Sequence, residues 1–242
     1  LPANNPTPGP IELQDSLAIM YENGCKACVM EVSSHALIQK RTYGTRFEGV
    51  AFTNLTQDHL DYHGTMEEYF KAKSLLFLPP TAPAVVNIDC KFGQQLAIQI
   101  KLSGGKVLTY GSTSDADLCF TNPELTVNAT RFTLTYKGKS QAVNLKLLGR
   151  HNIYNSLTAL GLALNAGIEM SIAIDAIESE NPVKGRLELV KLQKSIASFY
   201  VDYAHTPDAI ENVLRTLREI TTGRLFIVFG AGGDRDRRKR PL

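Results

Sequence analysis

The chain has 242 residues, 43% of them hydrophobic and 21% charged, a balance typical of a soluble globular protein with one large or two ordinary domains. No apolar run approaches the roughly 18–20 residues that span a bilayer, and the opening LPANNPTPGP has neither the basic nor the apolar region of a secretory signal. The net charge of +2 is local, because residues 234–240 carry five basic and two acidic side chains and leave the remainder slightly acidic, with no basic stripe for tracking a nucleic acid. Neither nucleic acid nor membrane is therefore expected as a partner. The chain starts without Met and stops within DRDRRKRPL, so an internal portion of a longer protein is expected.

In chain order, residues 1–10 read as extended loop. IELQDSLAIMYENG reads as a helix with Leu13, Leu17 and Met20 on one face and Gly24 just past its end. CVMEV and GVAFTNL are apolar, β-branched runs suited to strands buried on both faces of a parallel sheet. The run from Thr65 to Phe77 is a helix with a capping box, in which Glu68 reaches back to Thr65. APAVVNID is a strand and KFGQQLAIQIKL a helix, and this alternation predicts an α/β doubly wound core, mostly parallel, with helices on both faces.

After Lys106 the texture changes. KVLTY, DLCFT and ELTVNATRFTLTYKGKSQAVNLKLLG are strand-like, with a hairpin turn at Lys137-Gly138-Lys139, and predict a small antiparallel layer. HNIYNSLTALGLALNAG and SIAIDAIES are helical, followed by strands LELVKL and ASFYVDYA. Helix TPDAIENVLRTLREI has Thr206 as N-cap and Pro207 at its first position. RLFIVFG followed by AGGD reads as the opening strand and glycine turn of a second, Rossmann-like α/β unit, with the domain boundary placed between residues 183 and 184.

Cys25 and Cys28 form a C-x-x-C, while Cys90 and Cys119 stand apart. Cys28 leads straight into the apolar run VMEV instead of a helix, and no second close pair exists for zinc, so reduced, partly buried thiols in a cytosol-like compartment are expected. Glu31, and then Asp58 with His59, follow strand-like runs, where the carboxyl ends of an α/β sheet form a ligand crevice. A Mg²⁺ or Mn²⁺ site there is matched evenly by a plainer reading, in which Glu31 caps the next helix and His59 bonds locally. Lys73 falls on a helix beside Tyr69, Leu76 and Phe77, and periodicity alone favours a surface lysine with a snorkelling stem. FGAGGDRDRRKR joins glycines that admit close anion approach to arginine forks, but no G-x-x-x-x-G-K-[ST] loop occurs in the chain.

The segments MEVSSHALIQKR, FTNLTQDHLDYHGTMEEYFKAKSLLF, GRHNIYNSLTALGLAL, VKGRLELV, FYVDYAHTPDAIENVL and FGAGGDRDRRKRPL, in this order, resemble the Mur ligases over nearly the whole chain. The resemblance implies an ATP-dependent amide-bond ligase of peptidoglycan precursor synthesis, cytoplasmic and monomeric. ATP would phosphorylate UDP-MurNAc-L-Ala-D-Glu, and a diamino acid, meso-diaminopimelate or L-lysine, would attack the acyl phosphate. It further implies that Glu31 and His59 hold Mg²⁺, and that Lys73 is carbamylated and joins the metal site through its carbamate. Asn5, Thr7, Ser33, Gln39 and Arg41 would contact the UDP-MurNAc-dipeptide, although Pro6 departs from the usual Thr. Asn152, Arg186, Asp202 and His205 would face the nucleotide, and Arg235 the incoming amino acid. Residues 1–183 would be the central ATP-binding domain without its phosphate-loop portion, and 184–242 the start of the C-terminal domain, so the chain alone is expected to be inactive. A folylpolyglutamate synthetase-like ligase and a non-catalytic scaffold are the rival readings.

Overall fold

A computed structural model describes residues 6–190, 192, 197–205 and 207–230. The chain forms two compact units, residues 1–111 with 161–167, and residues 112–160 with 168–242.

In the first unit, α1 (Pro10–Glu22) starts with proline at its first position and buries Leu13, with Leu17 and Met20 half-buried on the same face. After it come α2 (Ser34–Ile38), β1 (Val50–Phe52), α3 (Leu60–His63), α4 (Met66–Ser74), β2 (Ala84–Asn87), α5 (Lys91–Leu102) and β3 (Val107–Gly111). β2 pairs parallel with β1 on one side and with β3 on the other, Val85 lying opposite Ala51 and Leu108. All four residues of β2 are buried. Ala84 and Val86 pack with Phe52, Phe70, Leu96 and Ile100, while Val85 meets Gly161, where a Cβ would stand 2.5 Å from Val85 Cγ1. Successive residues of one strand thus feed two packed layers, the doubly wound arrangement that the alternation of elements predicts.

The second unit opens with an antiparallel meander, β4 (Leu118–Leu125), β5 (Thr130–Tyr136) and β6 (Lys139–Leu145). DLCFT and the following ELTV, separate in the sequence reading, are joined into β4 by a register shift between Thr121 and Glu124, where Pro123 has no N–H to give the ladder. Tyr136 pairs with Lys139 across a two-residue turn in which Lys137 (φ 49°) and Gly138 (φ 74°) are both left-handed, the geometry that suits the strand twist. Next come α6 (Arg150–Asn165, its last turns in the first unit), α7 (Met170–Ser179), β7 (Glu188–Val190), β8 (Phe199–Val201) and α8 (Pro207–Ile220). β7 and β8 are antiparallel, and Leu148, Leu187 and Leu217 form a small core with Tyr200 and Val213. Thr206, expected to cap α8, lies outside the described residues.

Five expectations are corrected. KVLTY, expected in the antiparallel layer, becomes β3 of the parallel sheet. CVMEV is irregular chain with Val29 91% exposed, and Cys25 and Cys28 are exposed rather than partly buried. RLFIVFG is likewise not a strand, and Phe226, Val228 and Phe229 are exposed. An apolar β-branched run becomes a strand only where a neighbour completes its ladder, and among the described residues neither run has one. The Thr65 cap forms, its hydroxyl accepting from Glu68 N at 3.2 Å, but the Glu68 carboxylate pairs with Lys71 at 2.6 Å instead of reaching back, and Thr65 N donates to the His63 carbonyl.

Candidate functional site

Thr7 organises the first cluster. It is fully buried, its hydroxyl donates to the Glu31 carbonyl at 2.9 Å and accepts from Ser33 N at 3.0 Å. Arg41 Nη1 donates to the Thr7 carbonyl at 3.0 Å, and Arg41 Nε and Nη2 clasp Gln39 Oε1 at 2.9 and 2.6 Å. Five residues singled out in the sequence are thereby knit together: Thr7, Glu31, Ser33, Gln39 and Arg41. Ser33, not Glu31, caps the next helix, its hydroxyl accepting from Ala36 N. The plainer reading of Glu31 as a cap is therefore wrong.

Lys73 is not the snorkelling surface residue that periodicity favours. It is half-buried with Nζ 5.2 Å from the centroid of the Tyr69 ring. Burial lowers its pKa below the ordinary lysine value, while the carboxylates of Glu31 and Asp58 act in the opposite direction. His59, in a left-handed conformation (φ 52°) at the start of α3, donates its N–H to Asp58 Oδ1 at 2.9 Å and holds Nε2 3.5 Å from Asp58 Oδ2. Its ring lies 5.0 Å from that of His35 and 6.1 Å from that of Tyr69. Glu31, Asp58, His59 and Lys73 thus converge on one region, and the local His59 bonding foreseen as the plainer reading is also present.

Spacing gave no signal for Ser34 and His63. Ser34 Oγ and His63 Nε2 are hydrogen bonded at 2.8 Å, and the His63 ring stacks on Tyr69 at 4.6 Å and 13°. Burial, followed by the neighbouring imidazoles, keeps His63 below its ordinary pKa. His35 is lowered likewise, first by burial and next by His59.

The donor set suits a hard cation only with help. Among the described residues no three His, Cys, Asp or Glu side chains gather into a ligand group. Were Mg²⁺ held here, Glu31 and His59 would offer two donors and the remaining positions would fall to water and phosphate.

A second cluster lies wholly in the other unit. Asp202, just after β8, accepts from Leu187 N on Oδ2 at 2.8 Å and from Ala204 N on Oδ1 at 2.7 Å. Leu187 is left-handed (φ 45°) and buried, so this carboxylate holds a strained turn. Beside it the Arg186 guanidinium lies 5.4 Å from the Tyr203 ring centroid, and Tyr203 meets His205 edge to face at 5.0 Å. His205 Nδ1 is bonded to the Tyr203 carbonyl at 2.9 Å. Asn152, in the first turn of α6, donates from Nδ2 to the Leu148 carbonyl and lies 3.2 Å from His151 Nε2. His151, overlooked in the sequence, is kept below its ordinary pKa by burial, against the field of Asp202. Asn152, Arg186, Asp202 and His205 therefore belong to one neighbourhood, while Asn5 and Arg235 lie outside the described residues.

The Mur ligase middle domain matches residues 2–163, and the Mur ligase, glutamate ligase domain matches residues 185–242. A UDP-N-acetylmuramoyl-L-alanyl-D-glutamate–2,6-diaminopimelate ligase of Clostridium acetobutylicum is 44% identical over 237 residues, covering 98% of this chain and 48% of the relative. The corresponding ligase of Bacillus licheniformis is 45% identical over 248 residues, covering 99% of this chain and 50% of its own length. The chain therefore spans about half the length of the curated relatives it matches. A solved structure of such a diaminopimelate ligase superimposes with a TM-score of 0.77 at 36% identity, over 96% of this chain and 48% of that one. Folylpolyglutamate synthetase from Lactobacillus casei shares only the fold, with a TM-score of 0.60 at 16% identity over 77% of this chain and 46% of that one. The chain belongs to the Mur ligase family.

Proposed function

We propose that the whole protein carrying these residues is an ATP-dependent ligase that joins a diamino acid to UDP-MurNAc-L-Ala-D-Glu through an acyl phosphate. The observation that carries this reading is the half-buried Lys73 amine, lowered in pKa and faced by the carboxylates of Glu31 and Asp58 beside His59. A carboxylate is a poor electrophile, so phosphoryl transfer must precede attack by the amine. Glu31, His59 and the Lys73 carbamate would hold Mg²⁺, which when bound offsets charge on the phosphoryl group. Thr7, Ser33, Gln39 and Arg41, with Asn5, contact the UDP-MurNAc-dipeptide. Asn152, Arg186, Asp202 and His205 serve the nucleotide, and Arg235 the incoming amino acid. The relatives' names favour 2,6-diaminopimelate over lysine. Residues 1–183 then correspond to the central ATP-binding domain and 184–242 to the beginning of the C-terminal one, in a cytoplasmic, monomeric enzyme.

The test is ADP release by the whole protein, with product mass measured. We expect turnover that requires both UDP-MurNAc-L-Ala-D-Glu and diaminopimelate. Turnover with lysine alone would reassign the amino acid, and turnover only with a folate and glutamate would overturn the reading.

A further inference from the structure

We propose that His63 is a positioning residue that clamps α2 to α4 and so holds Lys73 in register with the Glu31–Ser33 segment. His63 lies at the end of α3 and makes two contacts of different kinds. Its Nε2 is hydrogen bonded to Ser34 Oγ at 2.8 Å, and Ser34 is buried in the first turn of α2, immediately after Ser33. Its ring lies nearly parallel to Tyr69 at 4.6 Å, and Tyr69 is buried on α4 with the Lys73 amine 5.2 Å from its centroid. A chain of contacts therefore runs from Lys73 through Tyr69 and His63 to Ser34, while Thr7 fixes Glu31 and Ser33 from the other side. Flat stacking fixes the plane of the imidazole and the hydrogen bond fixes its rotation, so Tyr69 and Ser34 are held at a set separation. His63 need touch neither substrate nor metal to do this.

The inference rests on the proposed role of Lys73, and the experiment separates the two. In the whole protein, carbamate on Lys73 is followed by ¹³C NMR in ¹³C-bicarbonate, alongside kcat and the KM for UDP-MurNAc-L-Ala-D-Glu. His63→Ala is expected to reduce kcat by about 10-fold or more, the usual effect of losing a residue that orients a metal ligand, and to weaken the carbamate signal. His63→Gln, which restores a hydrogen bond to Ser34, should recover most of both. Should His63→Ala fail to fold, Ser34→Ala removes the same hydrogen bond with little change in volume and carries the comparison. Wild-type protein without a carbamate signal overturns the Lys73 reading, and kcat then decides the His63 proposal by itself. Unchanged kcat in His63→Ala, or in Ser34→Ala where it stands in, overturns the clamp, as does a folded His63→Gln no better than His63→Ala.

Discussion

Gly93 of α5 is pressed against the backbone of Asn87 at the end of β2: a Cβ at position 93 would stand 1.8 Å from the Asn87 carbonyl oxygen. The same asparagine donates from Nδ2 to the Thr53 carbonyl at 2.7 Å and accepts from Asp89 N at 2.9 Å. It thereby ties the exit of β1, which leads to Asp58 and His59, to the turn that starts α5. Only glycine permits so close an approach of α5 to the end of β2.

Gly93→Ala is therefore expected to destabilise the protein despite alanine's better helix propensity. Propensity returns about 1 kcal/mol, whereas forcing a methyl into a backbone carbonyl, which cannot rotate aside, costs about 3 kcal/mol or more. Urea unfolding gives the test, and a midpoint equal to wild type would show that α5 shifts freely away from β2.

Thr7→Val preserves volume and burial but removes the hydroxyl that bridges Glu31 and Ser33. Leaving the Ser33 N–H and the Glu31 carbonyl without that partner is expected to cost about 1–3 kcal/mol. On the proposed function it should also raise the whole protein's KM for the UDP-MurNAc-dipeptide, because Arg41 and Gln39 hang from the same residue. Thr7→Ser keeps both bonds and should stay near wild type in both measurements. A Thr7→Val protein with wild-type stability and KM would remove Thr7 from its organising role.

Lys73 leaves a signature in the dependence of stability on pH. Burial lowers its folded-state pKa below the ordinary 10.5, so between those two values the unfolded chain binds more protons than the folded one. Stability then rises with pH across that window and levels off above it. Lys73→Met removes the ionisable group, so the rise from this residue should vanish, and the variant's relative advantage should shrink as pH approaches 10.5. The same variant should abolish ligase turnover in the whole protein. Parallel stability profiles for the two proteins, measured by denaturant unfolding at fixed temperature, would mean that the amine is fully solvated.

Local pattern made much of this fold legible. KFGQQLAIQIKL became α5 without a residue's difference, and Lys137-Gly138 became the two-residue turn, because helix periodicity and turn chemistry act over a few residues. CVMEV and RLFIVFG failed as strands because a ladder is a non-local property, and composition registers only suitability for one. Within the site, Glu31 and His59 stood out for their places after strand-like runs, whereas Lys73 was found by family resemblance alone, since periodicity placed it on the surface. The Ser34–His63–Tyr69 chain of contacts went unseen, for Ser34 and His63 are 29 residues apart and no spacing rule links them.

Asp202 carries two duties that mutation can separate. Its oxygens accept from Leu187 N and Ala204 N, holding Leu187 in its left-handed turn, and a carboxylate that also serves a nucleotide would do so by accepting from a ribose hydroxyl. Asp202→Ala should lose both backbone bonds, with a stability cost of about 1–3 kcal/mol. Asp202→Asn retains one acceptor oxygen and should lose less. If Asp202 also serves the ribose, folded Asp202→Asn whole protein should bind ATP more weakly while its affinity for inorganic tripolyphosphate, which has no ribose, stays unchanged. Calorimetric titration of both ligands decides the matter. Equal weakening of the two would show that the mutation acts through the turn and Arg186, and equal retention would confine Asp202 to its structural duty.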